Sequence, residues 1–199
     1  MSLYKNHITP FLLISLFSIQ LISEDIEEII IKGEWRESSR SEKDSSILIF
    51  DSKVIKDQPI KHFENLAYLV PNLNFAASDS RARYFQIRGI GERSGYQGTP
   101  NTSVGFLIDD IDYSGQGGIA TTFDVDQIEI HRGPQGSRIG ANALAGLIYI
   151  KTKDPTDTFE GTSELTIGSY GTSSIGLAFG GPIKKNISYR LAIRKDNSD

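Results

Sequence analysis

The order of apolar and polar positions divides the chain into stretches of different period. An apolar run at residues 11–22 follows Lys5 and His7 and precedes Ser23 and the acidic residues 24–28. A basic start, a short apolar core and a small residue at its end predict a secretory signal over residues 1–23, cleaved near Ser23. A membrane anchor is the weaker reading, because a bilayer-spanning helix needs roughly 20 apolar residues. Next comes a β-branched run, IEEIIIKG, at residues 26–33, inside a polar stretch. Residues 34–46 are rich in serine and in charges of both signs, the composition of a flexible linker. A short strand ahead of such a linker has few neighbours to pair with in its own chain. It is therefore a candidate for addition to a partner's sheet edge, with an ordinary first strand of the domain as the alternative.

From Ile47 the pattern becomes that of a folded domain. Residues 47–51 alternate as a strand, and Ser52 is placed to cap a helical turn that runs through Lys56 and stops at Pro59. Residues 62–70 predict an amphipathic helix, with Phe63, Leu66, Ala67 and Val70 on one face and Pro71-Asn72 ending it. Further strands are predicted at 73–75, 84–88, 104–108, 125–130 and 147–151, with polar, glycine-containing loops at 89–103 and 113–122. This is a small α+β domain over residues 47–155. After Pro155 the texture changes. Leu165 and Ile167, then Ile175, Leu177 and Phe179, then Ile187, Tyr189, Leu191 and Ile193 alternate with small, polar or charged residues. Residues 180–186 form a plausible turn between the last two strands. Ten-residue strands with this alternation suit a transmembrane β-barrel. A half-buried hairpin of a soluble sandwich is the competing reading, and the export signal favours the barrel.

The most specific stretch is IEIHRGPQGSRIGANALAGLIYIKT, residues 128–152. Its glycines recur too often for a helix interior, and they permit positive φ and close backbone approach. With Arg132 and Arg138 inside it, it predicts a tightly folded loop between two strands that fits against another surface.

Composition removes several chemistries. There is no cysteine, hence no disulfide, thiolate metal site or thiol nucleophile. With 25 acidic against 21 basic residues, a nucleic-acid surface built on bulk charge is disfavoured. His7, His62 and His131 are far apart in sequence, so no metal cluster is visible. The glycine-rich run lacks the Gly-Lys-Ser/Thr ending of a phosphate loop, and Gly146 leads into a strand where a dinucleotide fold needs a helix. Asp110, Asp112, Ser114 and Gly115 mimic the start of a calcium loop, but Thr121 stands where a bidentate glutamate is required. Asp109 and Asp110 read as turn residues. His131, next to Arg132, has no evident carboxylate orienter in sequence. The chain thus carries no catalytic constellation and calls for no cofactor or metal. An exported enzyme using the glycine-rich loop is a distant alternative.

Four stretches, in order, resemble the plug region of TonB-dependent outer-membrane receptors. IEEIIIKG is similar to the TonB box, FENLAYLVPNLNF to the early plug helix and strand, YFQIRGIG to the central plug strand and turn, and IEIHRGPQGSRIGANALAGLIYIKTKDP to the closing signature. His131 and Ile139 depart from the apolar and aromatic residues expected there. The resemblance implies a signal peptide over 1–23, a TonB-box segment and linker over 24–46, a plug over 47–155 and the first strands of an incomplete barrel over 156–199. It also implies no catalysis. The implied activity is energised uptake of a small molecule or metal chelate, commonly an iron–siderophore complex, across the outer membrane. The plug would lie within the barrel lumen and face the periplasm, and the barrel would contact outer-membrane lipid. Ile29, Ile30, Ile31, Lys32 and Gly33 would add a strand to a TonB-type periplasmic transducer. Arg132, Gly133, Gly136 and Arg138 would contact the barrel wall, and Arg93, Tyr96, Tyr113 and Gln116 would face substrate. The family barrel has about 22 strands, whereas the residues after Pro155 suffice for about three. On this reading the chain is incomplete as a transporter, and a stand-alone exported binding or signalling module is the alternative.

Overall fold

Two faces of one mixed sheet organise the molecule. The computed structural model describes residues 29–33, 38–39, 46–58, 62–77, 81–95, 101–117 and 120–198. The proposed signal segment, most of the linker and Tyr96 lie outside them. In chain order the elements are β1 (Ile30–Ile31), β2 (Ser38–Ser39), β3 (Ser46–Asp51), α1 (Ser52–Asp57), α2 (Phe63–Ala67), β4 (Leu73–Ala77), β5 (Ala82–Ile87), β6 (Val104–Ile108), β7 (Ile111–Asp112), β8 (Val125–Arg132), α3 (Gly136–Ile139), β9 (Gly146–Thr152), β10 (Glu160–Ile167), β11 (Ser173–Lys184) and β12 (Ile187–Asn197). The central sheet has the order β3-β8-β9-β6-β7, with β6 and β9 parallel and the other pairs antiparallel.

Strand alternation sorts the side chains of this sheet onto two sides. Ile128 and Ile130 of β8, Ile148 and Ile150 of β9 and Phe106 of β6 face the main core. Helix α2 and the antiparallel pair β4–β5 supply Phe63, Leu66, Ala67, Phe85 and Ile87 to the same core. Phe63 meets Phe85 and Phe106 edge-on, with centroids at 5.3 and 5.2 Å, the arrangement that ring quadrupoles favour. On the opposite side Leu107, Leu147 and Tyr149 pack with Ile139, and Gln127, Glu129 and His131 are buried beside them.

Local chemistry corrects several expectations. Asp51, not Ser52, caps α1, because its side chain at the end of β3 accepts from Val54 N at 2.8 Å. The predicted helix over 62–70 shrinks to α2. Its four apolar residues are all buried, but the chain leaves helical bonding in a turn in which Leu69 N donates to Leu66 O and Val70 N to Ala67 O. The glycine-rich run contains a helix after all. Gly136 opens the four-residue α3 and Gly140, at φ +73°, ends it, so the glycines bound the helix and its interior is free of them. Nor is the first strand solitary. Ile30 and Ile31 of β1 pair with Ser39 and Ser38 of β2.

Strands β10–β12 form a separate antiparallel sheet in sequence order. Strand β11 runs straight through Gly180–Pro182, where a turn is expected. Its register shifts between Pro182 and Lys184, a place where the missing N–H of proline is tolerated. The inward row of β11 is Ser174, Gly176, Ala178 and Gly180, all buried. The outward row is apolar and open, with Ile175 51%, Leu177 50% and Phe179 38% exposed. A soluble sandwich hides its apolar row; this sheet turns it outward, as a membrane barrel does. No helix among the described residues is long and apolar enough to cross a membrane, which says nothing of strands.

Candidate functional site

Two places in the fold carry interactions that packing alone does not require. The first is the segment 29–33, which lies against the second face of the central sheet. Ile31 is fully buried. The Glu129 carboxylate accepts from Lys32 N at 2.5 Å and from Gly33 N at 3.0 Å to each oxygen. Gln127 donates through Nε2 to Ile30 O at 2.8 Å and to Glu129 at 2.8 Å. Lys32 Nζ meets Asp126 at 2.7 Å. His131 Nε2 lies 2.7 Å from Glu129, so the carboxylate that seemed absent from sequence is two residues away on the same strand face.

The second place joins the domain to the three-stranded sheet. Asp124, in the turn before β8, accepts from Arg190 of β12 through Nε at 2.7 Å and Nη2 at 2.5 Å. Both side chains are buried, at 6% and 8% exposure. Beside this pair the ring of Phe123 fills the space over Gly176, where a Cβ would lie 2.7 Å from the ring. Arg194 of the same strand stacks over Phe123 at 5.7 Å and is held by Glu164 and Asp196. Small inward residues on β11 thus admit the domain, and two arginines on β12 grip it.

The residues singled out in sequence fall in several places. Arg138 pairs with Asp110 within the domain and lies over the Tyr149 ring at 5.1 Å. Burial and the nearby Asp110 push the Tyr149 phenol up to about 12. Arg132, at the end of β8, has a buried Nε with no hydrogen-bond partner among the described residues. Gly133 adopts φ +143°, a conformation that disfavours any other residue, and Gly136 has open space where a side chain would stand. Arg93 and Gln116 are exposed on the two glycine-containing loops, and Tyr113 packs partly on the main core. Asp109 and Asp110 form the β6–β7 turn, both at positive φ, and Asp109 holds Thr152 N at 3.0 Å.

Asp124, Arg190, Gln127 and Glu129 were not singled out. An arginine in the inward row of an alternating strand and a glutamate among buried isoleucines were the signals present in the sequence.

The TonB-dependent receptor plug domain family model matches residues 39–147. The pesticin receptor of Yersinia pestis is 25% identical over 190 residues, covering 94% of this chain and 28% of that protein. The ferric enterobactin receptor PirA of Pseudomonas aeruginosa is 24% identical over 172 residues, covering 76% of this chain and 23% of the receptor. In structure, the ferric yersiniabactin uptake receptor FyuA from Yersinia pestis superposes with a TM-score of 0.65 at 24% identity, over 75% of this chain and 24% of that one. The ferripyoverdine receptor of the outer membrane of Pseudomonas aeruginosa superposes with a TM-score of 0.71 at 19% identity, over 85% and 22%. These proteins are receptors, not enzymes, and this chain spans about a quarter of their length.

Proposed function

Because the chain belongs to the TonB-dependent receptor plug family, we propose that it works in an outer-membrane receptor for energised uptake of a scarce nutrient, with an iron–siderophore complex as the cargo. The observation that carries this reading is the three-stranded sheet. Its apolar row faces outward, and its small and charged inward row grips the plug through Asp124 and Arg190. A wall built this way suits lipid on one side and a polar, displaceable plug on the other. The names of relatives such as the ferric enterobactin receptor support an iron chelate as cargo.

In this mechanism substrate meets the plug at the loops bearing Arg93, Tyr96, Tyr113 and Gln116. Residues 29–33 add a strand to a TonB-type transducer in the periplasm, with main-chain hydrogen bonds supplying affinity and alternate side chains specificity. No step requires covalent chemistry or a cofactor. The test is binding of a purified transducer periplasmic domain to the chain and to a variant lacking residues 24–33. Loss of binding in the variant is expected; equal binding to both rejects the docking role.

A further inference from the structure

Glu129 is fully buried on a strand whose alternate residues build the main core, and it sits among four donors. Two of these are backbone amides of a segment about a hundred residues earlier in the chain, Lys32 N and Gly33 N. The other two, Gln127 Nε2 and His131 Nε2, come from the same face of β8. His131 is itself fully buried, and its strand neighbours in register are the aliphatic Ile47 and Leu147. A buried histidine in such a row costs desolvation unless it does something for its neighbour. Its Nδ1 has no partner among the described residues, so its single polar contact is with Glu129.

We propose that Gln127, Glu129 and His131 form a binding site for an extended main chain, that its occupant is the chain's own residues 30–33, and that His131 is the positioning residue that fixes Glu129 for this task. The fit is to backbone, not to side chains. Glu129 takes two successive amides, Gln127 takes the Ile30 carbonyl, and Ile31 between them is fully buried. Gly33 is required, since a Cβ there would meet Glu129 Oε2 at 2.6 Å, His131 Nε2 at 2.8 Å and Tyr149 Cβ at 3.2 Å. While seated, the segment is closed to strand addition. Ile30 and Ile31 are paired with β2, and three main-chain groups that a partner strand would seek, Ile30 O, Lys32 N and Gly33 N, are held by Gln127 and Glu129. The consequence for docking rests on the transducer role proposed for this segment; the site itself does not.

Two substitutions separate the roles. Glu129→Gln keeps the shape but places an amide NH2 opposite a donor whichever way it turns, towards Lys32 N and Gln127 or towards Gly33 N. His131→Leu keeps the β8 row buried and removes only the contact that positions Glu129. The chain has no cysteine, so a single Ile31→Cys reports opening of the site through its rate of thiol labelling in the intact purified chain. Labelling is expected to be slow in the otherwise unaltered chain. It should be about ten- to a hundredfold faster with Glu129→Gln, and faster by about tenfold with His131→Leu. Hydrogen exchange at Ile128 and Ile130 shows whether the sheet stays intact. Where a β8 variant loses that protection, Gly33→Ala, which leaves β8 untouched, decides with the same expected acceleration. Labelling within about twofold of the unaltered chain in the folded variants overturns the proposal. Transducer binding is measured separately. Faster labelling without any transducer binding rejects the docking role and leaves the site standing, whereas unchanged labelling with intact transducer binding does the reverse.

Discussion

Replacing Asp124 with asparagine isolates the contact between plug and wall. Asp124 sits at φ +59°, a left-handed conformation that asparagine tolerates as well as aspartate, so the substitution removes a charge without straining the turn. It leaves Arg190 at 8% exposure with no carboxylate. An uncompensated buried charge costs about 3–5 kcal/mol. The asparagine oxygen still accepts one hydrogen bond, so the lower figure, about 3 kcal/mol, is expected. That corresponds to roughly a hundredfold increase in local opening. Arg190→Met strands Asp124 in turn and is expected to cost a similar amount. The double variant strands neither, and should recover about 2 kcal/mol relative to the sum of the two. The assay is native-state hydrogen exchange of the Lys153 amide, which donates to Asp124 O at 3.1 Å, and of the β12 amides around Arg190. Opening increased by less than about fivefold with Asp124→Asn, together with additive effects in the cycle, would refute the claim that this pair anchors the plug.

Other consequences can be checked on the same protein. Phe63→Ala removes the ring that joins α2 to Phe85 and Phe106, and should destabilise the plug by about 3–5 kcal/mol in denaturant unfolding. Tyr149 ionises near 12 in the fold against an ordinary 10.0. The neutral phenol is therefore favoured by the folded state, its contribution is whole below pH 10, and it is lost as pH rises from 10 towards 12. The difference in stability between the unaltered chain and Tyr149→Phe should shift over that window, and a flat difference would contradict the assignment.

The parts of the fold legible in sequence are those set by local pattern. Strand β6 has the limits that its apolar run predicts, and Phe63, Leu66 and Ala67 of α2, with Val70 in the turn after it, are buried as their spacing requires. The outward row of β11 also follows from alternation. What escaped depends on partners distant in the chain or on turn chemistry. Strand β7 is only Ile111–Asp112, created by the positive-φ pair Asp109–Asp110 folding the chain back on β6. Helix α3 is short enough to fit between flanking glycines. The pairing of β1 comes from two serines of the polar linker itself, and the grip on Lys32 and Gly33 from a residue nearly a hundred positions away; a strand followed by a polar linker gave no sign of either. The arginines of the glycine-rich run drew attention through their neighbours. Arg138 pairs with Asp110 of the plug, and an ion pair between plug and wall is made by Arg190, unremarked in an alternating strand.

Strand addition by residues 29–33 is tested most directly by placing a single cysteine at each of these positions in turn, and one on the edge strand of the transducer's periplasmic domain. The chain's own lack of cysteine keeps the readout clean. Because side chains of a strand alternate in direction, disulfide yield is predicted to rise and fall with a period of two residues from Ile29 to Gly33. It should also increase when Glu129→Gln releases the segment. Uniform yields along the segment, or none in a folded chain whose segment is open, would contradict the account.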